Sequence, residues 1–166
     1  MPRNWQYVPL ILLALPNAKI IDVRRNPMDC CWSNFRQLYA DSGEFSYDLQ
    51  ELGGYYRQYV RMMDHIDRVL PGRVHRVFYE ELLADTEGQV RSLLDHVGVD
   101  FDERCLQFHE NRRAVKTSSS EQVRQPISGE SIGQWKAYEE LLKPLEESLG
   151  DVVARYREFP SSISAS

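Results

Sequence analysis

The sequence predicts an α/β fold. Three observations point there. A short β-branched run, Lys19–Val23, feeds a capped helix start; a second run, Val74–Phe78, alternates as a strand does; and a long helical stripe lies between them. Strand, helix, helix, strand, helices is the order in which α/β domains are built. With 166 residues, 42% hydrophobic and 27% charged, the chain can bury a real core as one domain or a large part of one.

Residues 4–15 read as a short buried helix, broken at Pro16-Asn17. The apolar run Val8–Leu15 followed by Ala18 also has the outline of a weak signal peptide; little charge precedes it, and Pro9 interrupts it. Lys19–Val23 reads as a buried strand, too short for a helix. Asn26 is a good N-cap, Pro27 suits the first helical position and Asp29 favours the positive end of the dipole, so a helix is expected over Pro27–Tyr39. Asp41–Ser46 reads as a polar loop. From Asp48 to Leu70 the residues Leu49, Leu52, Tyr56, Tyr59, Met63, Ile66 and Leu70 form one helical face, with Gly53-Gly54 a weak spot near its beginning and Pro71-Gly72 a stop. Asp85-Thr86 caps a helix over Glu87–Val97 that turns Val90, Leu93, Leu94 and Val97 inward and ends at Gly98. A short helix is expected over Asp102–His109, an aperiodic stretch over Asn111–Gly133, and a helix over Gln134–Leu149 bent by Pro144. Two strands make no stable open sheet alone, so the sheet must be very small, paired with another chain or completed by further strands.

The charge of −5 argues against broad nucleic-acid binding, and local basic clusters in an acidic chain suggest a small anionic ligand instead. No stretch approaches the roughly 20 apolar residues of a membrane span, so no membrane partner is expected. Three cysteines, with Cys30 and Cys31 adjacent, make no disulfide framework and read as reduced packing residues, which fits the cytoplasm. The four histidines show no metal spacing, and no metal is expected.

Three places could carry chemistry. Arg25 offers a planar fork of donors for a phosphate or sulfate at a helix start, and Ser33 on that helix could add a hydroxyl; alternatively both are solvated surface groups. The loop Arg112–Gly133 sets Arg112, Arg113, Lys116 and Arg124 beside Thr117-Ser118-Ser119-Ser120, a mixture suited to a polyanion or simply to water. Tyr79 stands where the second strand ends, so its ring could stack on a base or fill the core.

Four ordered segments, RRNPMDCCWSNFRQ, VFYEELL, VKTSSSEQVRQPI and SIGQWKAYEELLKPL, resemble the sulfotransferase family. The resemblance runs from near Met1 to about Gly150. It is to bacterial sulfotransferases often attached to tetratricopeptide repeats and related to tyrosylprotein sulfotransferases. It implies a helix-rich, three-layer, P-loop-kinase-like α/β fold with a parallel sheet. It also implies transfer of a sulfuryl group from 3′-phosphoadenosine 5′-phosphosulfate (PAPS) to a hydroxyl or amine. By that resemblance Arg25 and Ser33 bind the cofactor's 3′-phosphate, and Tyr79 lies beside the adenine. Ser119 stabilises the transition state near the 5′ end, and Ser119–Ser128, with Gln122 and Arg124, wraps the nucleotide. Gln134 stands where relatives often carry a basic residue.

The family's P-R-S-G-T-T/S-L loop is not among the 166 residues. Neither is the helix that follows it, the acidic or histidine general base, or an expected lysine. The sequence therefore reads as a sulfotransferase entered part-way, lacking the N-terminal strand beside Lys19–Val23. The expected units are a partial domain over 1–159 and a disordered tail over 160–166, with a tetratricopeptide-repeat region possible in a longer protein. Either this chain takes part in sulfuryl transfer, or it is an inactive fragment that keeps a partial nucleotide site. A small P-loop-like kinase is disfavoured, since no Gly-rich loop is present.

Overall fold

The structure, a computed structural model, describes residues 3–37, 44–111 and 122–158. Helix α1 spans Val8–Ala14, behind a 3₁₀ turn at Asn4–Tyr7, and strand β1 spans Ile20–Arg24. Helix α2 is Pro27–Phe35 and α3 is Leu49–Val69; strand β2 is Val74–Phe78; α4 is Tyr79–Ala84 and α5 is Thr86–Val97. After short 3₁₀ turns come α6, Lys143–Leu149, and α7, Asp151–Glu158. Strands β1 and β2 pair in parallel, with Ile20 opposite Val74 and Arg24 opposite Phe78.

The long helix forms for the reasons its sequence suggests. The Asp48 carboxylate accepts the N–H groups of Gln50 and Glu51 at 2.8 and 2.9 Å, which caps α3. Its apolar stripe then divides between two clusters. Leu52, Tyr56 and Val60 pack with Met28 and Cys31 of α2 and with Leu145 and Leu149 of α6. Met63 and Ile66 pack with Val8 and Leu12 of α1. Gly53 is a point of closest approach rather than a weak spot: a Cβ there would lie 2.7 Å from the Ser148 Cβ and 3.2 Å from the Leu145 carbonyl oxygen.

Strand β1 is not buried on both faces as its composition suggests. Alternation turns Asp22 and Arg24 toward α3, where both are buried, and leaves Ile21 43% and Val23 64% exposed. Asp22 accepts from Arg24 Nε at 2.9 Å, from Arg76 Nε of β2 at 3.2 Å and from the Tyr59 hydroxyl of α3. Arg76 also pairs with Asp67 of α3 at 2.7 Å. Burial, reinforced by the Asp22 charge, holds the Tyr59 phenol well above its ordinary range, so it stays a donor. The other face of β2 carries His75, whose ring stacks on His96 of α5 at 5.1 Å between centroids. Among the described residues the sheet has two strands, and an apolar groove of about 530 Å³ runs along β1, lined by Trp5, Val8, Ile11, Tyr55 and Tyr59.

Elsewhere the elements depart from expectation in detail. Helix α2 ends at Phe35, and residues 38–43 lie outside the described set. The expected helix at Asp102–His109 is two 3₁₀ turns, Glu103–Cys105 and Phe108–Glu110. Gln134–Leu149 is not one bent helix. A 3₁₀ segment, Gln134–Leu142, with non-helical backbone at Tyr138, precedes α6, and Pro144 stands in the first turn of α6, where its missing N–H costs nothing. The inward face of α5 is half-buried. Helix α7 is not foreseen by the sequence reading; its Tyr156 ring packs edge-on against Phe78 at 5.6 Å. The expected tail, 160–166, lies outside the described residues.

Gly53→Ala forces α3 and α6 apart and lowers stability by about 1–3 kcal/mol in chemical denaturation. His75 is held below its ordinary value of 6.5, by burial first and then by His96. The unfolded chain therefore binds protons more readily, and this contribution to stability is complete above 6.5 and lost as pH falls through the lower folded value. His75→Phe should show a smaller fall in melting temperature than the parent between about pH 7 and about pH 5.

Candidate functional site

The site is built where β1 hands over to α2. Strand alternation sends Arg24 into the Asp22 network, and the next residue leaves the strand on a different course. Its backbone is held on both sides: the Tyr56 hydroxyl donates to the Arg25 carbonyl at 3.3 Å, and the Asn26 N–H donates to Glu80 Oε1 of α4 at 2.9 Å. Asn26 Oδ1 then accepts from the Met28 and Asp29 N–H groups at 3.0 and 3.4 Å, the expected N-cap. Glu80 also accepts from the Tyr156 hydroxyl of α7, so one carboxylate joins three elements.

The Arg25 guanidinium faces a cavity of about 740 Å³ between α2, the start of α4 and the segment around Ser128–Gln134. Its Nη2 donates to the Ser131 carbonyl at 2.9 Å and reaches the Ser131 hydroxyl at 3.3 Å. Asp29 lies 3.9 Å away. The Arg25 Nε is buried with no hydrogen-bond partner, a donor short of an acceptor. Its central carbon stands 5.6 Å from the Tyr79 ring centroid, and the Tyr79 hydroxyl donates to the Ser128 carbonyl at 2.7 Å.

Asp29 fixes the far wall. Its side chain is 2% exposed, and its two oxygens lie 2.9 and 3.0 Å from the Gly133 N–H. Burial pushes its carboxyl up, while the Gly133 N–H and the Arg25 charge pull the other way. Gly133 has φ +75°, a left-handed conformation that side-chain-bearing residues avoid, and it starts the segment leading to Trp135.

Four of the residues singled out in the sequence therefore share one cavity: Arg25, Ser33, Tyr79 and Gln134. Ser33 is exposed on α2 at its wall. Gln134 holds the Glu130 carbonyl through Nε2 at 3.0 Å. Arg124 is not part of the lining; it donates to the Asn111 carbonyl. Ser119 and the side chain of Gln122 lie outside the described residues, as do Arg112, Arg113 and Lys116. Arg36 and Phe108 are among the lining residues that were not foreseen. Arg36 is three positions after Ser33 and shares its helix face, a spacing that could have revealed it. Phe108 comes from a 3₁₀ turn with no periodicity to mark it.

The neighbouring cysteines supply no nucleophile. Cys31 is buried and Cys30 partly so, both are free thiols, and burial pushes the Cys30 thiol up to about 11.

A profile of the Sulfotransferase family matches residues 1–103. The chain belongs to the sulfotransferase family. An uncharacterized protein of Aquifex aeolicus (strain VF5) is 35% identical over 152 residues, which make up 90% of this chain and 20% of that protein. The chain thus spans one fifth of the length of that relative. Among solved structures, mouse sulfotransferase SULT7A1 complexed with PAP superposes with a TM-score of 0.56 over 95% of this chain and 68% of its own. At 16% identity this likeness speaks for the fold, an α/β sulfotransferase fold. No helix among the described residues is long and apolar enough to cross a membrane.

Removing the Asp29 carboxylate should free the Gly133 segment. Asp29→Ala is expected to cost about 1–3 kcal/mol of stability. In hydrogen-exchange experiments the Gly133 amide should lose its protection, while amides in the middle of α3 keep theirs.

Proposed function

We propose that this chain carries the 3′-phosphoadenosine half of a PAPS site, used for sulfuryl transfer to a hydroxyl or amine acceptor. The observation that carries the reading is the Arg25 guanidinium, set beside Ser33 and the Tyr79 ring around one cavity. An anion placed there would take a charge-assisted bond from the guanidinium. In this reading Arg25 and Ser33 hold the 3′-phosphate, and Tyr79 and Phe108 flank the adenine. The 119–128 segment, with Ser119, Gln122 and Arg124, wraps the nucleotide, and Ser119 serves the reacting end. Gln134 braces the wall through Glu130. The bound nucleotide would supply the activated sulfuryl group. This chain's own residues bind and orient it, and family membership together with the PAP bound to the mouse structure supports that choice of nucleotide. The working unit in this proposal is 1–159, within a bacterial protein that can also carry tetratricopeptide repeats.

A second reading is binding without turnover. It is favoured by one sequence fact: the 166 residues include no P-R-S-G-T-T/S-L loop. Titration with adenosine 3′,5′-bisphosphate (PAP), followed by a sulfate-transfer assay on phenolic acceptors, separates the two. Binding with turnover supports the first reading and binding without turnover the second; no binding at millimolar nucleotide overturns both. Arg25→Ala is expected to weaken PAP binding by about 1.5–3 kcal/mol, the scale of a hydrogen bond to a charged group. Unchanged affinity by calorimetry would remove Arg25 from the site.

A further inference from the structure

A phosphate monoester carries between one and two negative charges at neutral pH, whereas the Arg25 guanidinium is already shared. It donates to Ser131 and stands 3.9 Å from the buried Asp29 carboxylate. One partly neutralised arginine is a thin match for a dianion. The cavity holds a second cation. Arg36 follows the last residue of α2, on the same face as Ser33, and lines the same cavity.

The guanidinium of Arg36 is kept in place by neutral groups. Its central carbon lies 5.5 Å from the Trp32 ring centroid, an arginine-on-indole arrangement. Its Nη1 reaches Gln134 Oε1 at 3.4 Å. The Gln134 amide is turned that way because its Nε2 donates to the Glu130 carbonyl at 3.0 Å. Among the described residues no carboxylate lies within ion-pair distance of Arg36. Among those residues its charge has no ion-pair partner, and its exposed fork keeps donors for a ligand.

We infer that Arg36 is a second ligand for the phosphate held by Arg25 and Ser33, and that the Trp32–Gln134 pair positions it. This rests on the nucleotide reading above and sharpens it in one respect. Gln134 brings no charge to the cavity, and Arg36, just past the end of α2, provides it. Arg36 would set preference for nucleotides bearing a 3′-phosphate over those without one.

Calorimetric titrations with PAP and with adenosine 5′-phosphate test this on the parent chain, Arg36→Ala and Arg36→Lys. Arg36→Ala should weaken PAP about tenfold, the lower end of a hydrogen bond to a charged group, and leave adenosine 5′-phosphate within about twofold, so the preference between them collapses. Arg36→Lys, which keeps the charge, should recover most of the loss. Melting temperatures of the three proteins should agree, since Arg36 is exposed. If the parent binds PAP and Arg36→Ala binds it equally well, the inference fails and the nucleotide reading stands. If both nucleotides weaken in parallel, Arg36 acts on the cavity's shape and the inference again fails. If the parent binds neither nucleotide, the underlying reading fails and takes this one with it.

Discussion

The site depends on one buried carboxylate. Asp29 stands in the first turn of α2, where the helix dipole favours a negative charge, and it is spent on the Gly133 N–H rather than on a ligand. That bond spans 104 residues. It ties the C-terminal third, with Trp135, Leu142 and Leu145 in the main cluster, to the helix that carries Ser33 and leads to Arg36. It also brings Ser131 up to Arg25, so the cation and the wall it faces are set by the same contact. A carboxylate so close to a proposed anion site looks unfavourable in isolation. Its charge is balanced by a backbone donor and a guanidinium.

The two adjacent arginines show how a strand end sorts chemistry. Arg24 and Arg25 are identical in type and differ by one pleat. Arg24 goes into a charged network of Asp22, Tyr59 and Asp64 that fastens the sheet to α3. Arg25 emerges where the strand stops and the helix begins, with its backbone gripped by Tyr56 and Glu80. Such a network contributes little net stability once desolvation is counted, but removing one member leaves a buried charge exposed to no partner.

Much of this could be read in the chain. The cap at Asn26, the stripe of α3 and the strand pair follow from local rules, and the shared cavity of Arg25, Ser33, Tyr79 and Gln134 follows the order of the quoted segments. What escaped the reading depends on distant partners. Ile21 and Val23 have strand composition, yet their exposure depends on what covers that face. Gly53 reads as a helix breaker until α6 is seen against it. Glu80 looks like a surface acid on a short helix, and only tertiary structure shows it joining Asn26 to Tyr156. Phe108 has no periodic neighbours at all. Pro144 suggests a bend only if the segment before it is α-helix, and that segment is a 3₁₀ run.

The open side of β1 has a bearing on handling as well as on chemistry. Five residues of backbone there face a groove walled by Trp5, Val8, Ile11 and Tyr59. Ile21 and Val23 add greasy side chains to the same strand. Unpaired strand edges flanked by apolar surface recruit other strands indiscriminately. Among the described residues that edge has no strand partner, so self-association of the purified chain should rise with its concentration.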